Sequence, residues 1–130
     1  MILSYDPFEA PDPDEWLEID EGERVVLVSI YHEDEEGDEF EEDSLQVHSV
    51  VHVVVENQIA LGDEYPVKQT LARLMGEGLN RHEAIHAIGA VLTKYMWRAG
   101  KGEITSEEFT TNYFEELKTF SVEKWHDEFS

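Results

Sequence analysis

Apolar residues recur three and four positions apart along most of this chain, the repeat of a helix with one face turned inward. From the N-terminus, Pro13 followed by Asp14 and Glu15 predicts a short helix through Trp16 and Leu17. Asp20 then caps a helix carrying Val25, Leu27, Val28, Ile30 and Tyr31, with Glu23 at the capping-box position. That helix is expected to end near His32, because the next eleven residues, Glu33 to Asp43, contain nine carboxylates with Gly37 and Phe40 and read as an acidic loop.

The following element, over about 44–61 and capped by Asp43 or Ser44, is apolar nearly all round: Leu45, Val47, Val50, Val51, Val53, Val54, Val55, Ile59 and Leu61. Its valines are better strand formers than helix formers. A strand would set His48 and His52 about 13 Å apart, whereas a helix sets them one turn apart. Helix is the expected reading, because the run is too long for an ordinary strand and Glu56-Asn57-Gln58-Ile59-Ala60 continues it unbroken.

Gly62-Asp63-Glu64 reads as a turn, and Pro66 starts a helix with Val67, Leu71, Leu74 and Met75 at helical spacing. Gly76-Glu77-Gly78 ends it. Asn80 caps a helix over about 81–99 whose apolar arc is Ile85, Ile88, Leu92, Tyr95 and Met96, with His82, His86 and Gly89 at its edge. A glycine inside such a helix implies a close neighbour. Gly100 and Gly102 stop it. Thr105 and Glu108 form a capping box before Phe109, Tyr113, Phe114, Leu117 and Phe120, and 121–129 adds a last turn or two around Trp125. The fold expected is all-α: a bundle of four main helices with a C-terminal helix packed across it. Residues 1–13, with three prolines, are expected as an extended arm that can dock through Tyr5 and Phe8, 14–102 as the bundle core, and 103–130 as a helical extension.

Charge changes this picture in one region. Thirty-one acids face nine bases, a formal charge of −22, and residues 1–43 carry eighteen of the acids with a single base, Arg24. Such a balance argues against direct binding of nucleic acid or anionic membrane. No apolar run is long enough to span a bilayer and no basic region leads an apolar stretch, so a cytoplasmic protein is expected. Cysteine is absent, which leaves His, Asp and Glu as the only ligands for a transition metal.

The candidate chemistry lies in the histidines. His82-Glu83-x-x-His86 has the spacing in which two imidazoles share a helix face and hold zinc while the glutamate acts as base. His48 and His52 repeat that spacing, with Glu56 one turn on. Helices joined by short loops run antiparallel to their neighbours, so the 44–61 and 81–99 helices are expected to run parallel, with both pairs near their N-termini. His32 would join them, and five of the six histidines would gather at one end, His126 being the exception. The metal ligands expected are His48, His52, Glu56, His82 and His86, with His32 as a further candidate, and zinc is the metal expected. Glu56 can instead orient an imidazole from outside the metal. Glu83 has two readings, as the base of a metal-dependent hydrolase or as the capping partner of Asn80. The third ligand usual downstream of H-E-x-x-H is not evident.

His48-x-x-x-His52-x-x-x-Glu56-x-Gln58, Arg73-Leu74-Met75 and Arg81-His82-Glu83-Ala84-x-His86-Ala87-Ile88-Gly89 together resemble a family of small bacterial helical proteins known only as a domain of unknown function. Glu15-Trp16-Leu17 and Tyr31-His32 extend the resemblance over about residues 14–100. It implies a helical fold and bacterial origin, brings no activity, and points to the same histidines and glutamates. Divalent-metal binding is therefore the leading expectation. The alternative is a non-catalytic module whose histidines are structural or pH-sensing and whose acidic segment 33–43 engages a basic protein or mimics nucleic acid.

Overall fold

A computed structural model describes the backbone over residues 5–36 and 42–129 and the side chains of 5–31 and 49–128. Among the described residues seven α-helices follow one another: α1 (Pro13–Glu18), α2 (Glu21–Glu36), α3 (Glu42–Ala60), α4 (Val67–Gly76), α5 (Arg81–Gly100), α6 (Ser106–Thr119) and α7 (Val122–Phe129), with a 3-10 turn at Gly62–Glu64. The described residues contain no strand, and no helix among them is long and apolar enough to cross a membrane. The fold is all-α, as the periodicity predicts.

Local chemistry sets most helix ends. Asp12 accepts from the Glu15 N–H at the start of α1, and Pro13 supplies its first residue. Arg24 donates at 2.8 Å each to the carbonyls of Leu17, in the last turn of α1, and of Ile19, just past it. Asp20 accepts from the Gly22 N–H ahead of α2. Capping boxes at Asn80/Glu83 and Thr105/Glu108 open α5 and α6. One boundary moves. α2 runs past His32 through Glu36, because Glu33–Glu36 contains no helix breaker and glutamate is a good helix former. α3 then starts at Glu42. Of the expected acidic loop 33–43, residues 37–41 lie outside the described residues, as do the side chains of 32–48, including those of His32 and His48.

The valine-rich stretch is helical, and packing explains why. α3 lies between two cores. Val51 and Val55, one turn apart, enter the larger core with Val67, Leu71 and Leu74 of α4, Ile85, Ile88 and Leu92 of α5, and Tyr113 and Leu117 of α6. Val53 faces the opposite way, into a smaller core with Tyr5, Trp16 and Val28. Burying a valine contributes about 1.5 kcal/mol or more, against a helix-propensity cost of at most about 0.7 kcal/mol, so packing decides the conformation. Polar bonds tie the layers: Asn57 Oδ1 accepts from Trp16 Nε1 at 2.9 Å and Arg24 Nη1 at 3.0 Å, and Tyr113 OH donates to Gln58 Oε1 at 2.8 Å.

α3 and α5 do not run parallel. Glu56 meets Arg81, His52 meets His82 and His86, and Val51 meets Gly89, so contacts step back along α3 as they step forward along α5. The two helices run in opposed senses. The parallel expectation assumed that α4 returns the chain along the whole bundle. α4 has only ten residues, about 15 Å, and follows a 3-10 turn, so residues 61–80 leave and re-enter at the same end. The helices come close at Gly89, where an added Cβ would sit 3.1 Å from Val51 Cγ1.

Replacing Gly89 with leucine therefore overpacks the α3–α5 contact, and the loss expected from urea unfolding is about 1–3 kcal/mol. A variant as stable as the parent would contradict the close approach.

Candidate metal centre

α3 presents His52 and Glu56 one turn apart on a single face, and α5 answers with Arg81 and His82 in its first turn and His86 one turn on. His52 is 2 % and Glu56 1 % exposed; Arg81 and His82 are buried, and His86 is half-buried. Arg81 and Glu56 form a two-point ion pair, Nη1 donating to Oε2 at 2.8 Å and Nη2 to Oε1 at 2.7 Å. Arg81 Nη1 also donates to the Pro7 carbonyl at 3.0 Å, which fixes the N-terminal segment to the start of α5. That segment delivers Tyr5, whose hydroxyl donates to Glu56 Oε2 at 2.5 Å and lies 2.6 Å from His52 Nε2.

Around this chain of bonds the three imidazoles converge. The His82 and His86 ring centroids are 4.2 Å apart, and each lies 5.7 Å from that of His52. One ligand atom from each of His52, His82 and His86 lies within 4.8 Å of the other two. A tetrahedral metal with bonds of about 2.0–2.1 Å holds its nitrogens about 3.4 Å apart. Side-chain rotations closing these gaps by about 1.5 Å or less would suffice. Aromatic rings wall the group: Tyr5 stands edge-on to His52, and Phe8 and Tyr31 edge-on to His82, with centroids 5.2, 5.3 and 5.7 Å away.

Two of the other expected residues, Glu83 and Glu56, make different bonds. Glu83 is exposed and closes the capping box, its carboxylate accepting from the Asn80 N–H at 3.1 Å. Glu56 is not in the ligand cluster; its oxygens are taken by Arg81 and Tyr5, and it reaches His52 through the phenol. His48 falls on α3 one turn before His52 and His32 on α2, both with side chains outside the described residues. The opposed helix sense makes His52, not His48, the member of its pair nearer the start of α5. His126 lies on α7 beside Trp125.

Two residues of the site went unmarked in the sequence reading, Tyr5 as a hydrogen-bond partner and Arg81. The signal for Arg81 was available: a cation at a helix N-terminus opposes the macrodipole, so a specific anion must hold it there. Burial, and then the adjacent Glu56 carboxylate, push the Tyr5 phenol well above the usual tyrosine range. Burial works against the charge on Arg81, but the hydrogen bonds and charge of Glu56 outweigh it and hold the guanidinium above its ordinary value. No protein-family model, curated protein or solved structure matches this chain.

Arg81→Met strands the Glu56 carboxylate, and the expected loss is about 3–5 kcal/mol. Pairing it with Glu56→Leu removes both charges and should recover much of that loss; urea unfolding of the three variants checks this, and additive losses would contradict it. Alkali offers a second check. Tyr95, by burial and its bond to Glu116, and Tyr113, by burial, are also shifted up. The folded chain thus holds these protons past about pH 10, where unfolded tyrosines release them. The stability they confer is complete below that pH and lost as it rises further. Tyrosinate absorbance should show Tyr5, Tyr95 and Tyr113 ionising above the ordinary tyrosine range, with helicity falling as they do.

Proposed function

We propose that this protein binds one divalent transition-metal ion, zinc by preference, through His52, His82 and His86. The observation that carries the reading is the convergence of three imidazole ligand atoms within 4.8 Å, two of them on buried residues. Neutral imidazoles suit zinc above calcium or magnesium, and the chain contains no thiolate to compete. Three protein nitrogens leave a four-coordinate zinc one position for water or an exogenous ligand. The Glu83 carboxylate is held by Asn80 and the Glu56 carboxylate by Arg81 and Tyr5, so the reading is confined to metal binding.

The test is metal content of the untagged protein by elemental mass spectrometry. One zinc per chain is expected, retained in millimolar calcium, which would strip ions from the acidic surface, and lost in both His52→Ala and His86→Ala. Zinc at a hundred times its dissociation constant should add about 2.7 kcal/mol to the unfolding free energy. A wild-type chain that takes up no zinc would overturn the reading and leave the three rings as part of an aromatic core.

A further inference from the structure

Metal binding by three histidines leaves one feature unexplained: a buried phenol placed between one of them and a carboxylate. A phenol has a single proton to donate. Tyr5 donates it to Glu56 Oε2, an oxygen that already accepts from Arg81 Nη1. Toward His52 Nε2, at 2.6 Å, the Tyr5 oxygen can then offer only a lone pair. The hydrogen bond there has one remaining direction, with Nε2–H donating and Tyr5 accepting. A neutral imidazole that carries its proton on Nε2 has its lone pair on Nδ1.

We propose that Tyr5 is a positioning residue of the metal site, fixing His52 as the Nε2–H tautomer so that Nδ1 is the atom presented to the metal. The proposal rests on the reading of His52, His82 and His86 as metal ligands. Tyr5 acts through His52 and does not touch the metal. Glu56 and Arg81 act one bond further out by fixing the direction of the phenol. Tyr5 belongs to the N-terminal segment, which is held by the Pro7 carbonyl on Arg81 and by Phe8 against His82. The site is therefore complete only when residues 5–8 are docked. By linkage, whatever metal gains from the docked segment, the segment gains from metal.

The experiment uses the full chain with nitrogen-15-labelled histidine. In the metal-free protein, long-range proton–nitrogen correlation spectra should show His52 as the Nε2–H tautomer, assigned by the signal missing from His52→Gln. In Tyr5→Phe, which keeps the ring against Trp16 and Tyr31, that preference should be lost. Zinc titration against a chromophoric chelator should give Tyr5→Phe an affinity lower by about 10–100-fold with stoichiometry unchanged, the usual consequence of removing a partner behind a ligating histidine. His52 found as the Nδ1–H tautomer in the wild type would overturn the inference even if Tyr5→Phe failed to fold. Equal zinc affinity in the two chains would overturn the inference alone, leaving the metal reading intact. No zinc bound by the wild type would overturn both.

Discussion

Glu56 and Arg81 meet at 2.7 and 2.8 Å with almost no exposure to water, and the rest of the site depends on that meeting. Taking two charges out of water costs several kcal/mol per ion before their attraction is counted, so the pair is weak as a source of net stability. Its strength is specificity. A guanidinium fork and a carboxylate fit each other in one geometry, which sets the sliding position of α5 along α3. One turn before Glu56 is His52; one residue and then one turn after Arg81 are His82 and His86. A slip by a turn along either helix would part the histidines and strand two buried charges.

The same pair organises the N-terminal segment. Arg81 uses the hydrogen on Nη1 not spent on Glu56 to hold the Pro7 carbonyl, and Glu56 accepts the Tyr5 phenol. Tyr5 also belongs to the smaller core, where it packs with Trp16, Val28 and Val53. Apolar burial and polar pairing therefore bring the same residue to the same place. The segment is part of the wall of the site, and the three imidazoles lie where two helices, a short arm and a ring of aromatic side chains meet.

Much of this was legible in the sequence. The helical repeat gave the elements, Asn80 with Glu83 and Thr105 with Glu108 marked helix starts, and Gly89 announced the close approach now seen against Val51. His82 and His86 were legible as a pair because helical spacing is a local property. Direction was not. Whether α3 runs with or against α5 depends on how residues 61–80 turn, and the short α4 leaves that to the 3-10 turn and to Pro66. The Tyr5 hydroxyl bonds were hidden for a similar reason: a contact across 47 residues is set by tertiary packing, and periodicity carries no trace of it. The acidity of residues 1–43 was the loudest signal in the composition, yet the described site is built from imidazoles, one phenol, one carboxylate and one guanidinium.

The most direct test of the central claim, that three imidazoles form one metal centre, is X-ray absorption at the zinc edge of the loaded chain. Three nitrogen neighbours at about 2.0 Å are expected, with the outer-shell scattering characteristic of imidazole rings. A shell of oxygens without ring scattering would place the zinc on surface carboxylates and contradict it.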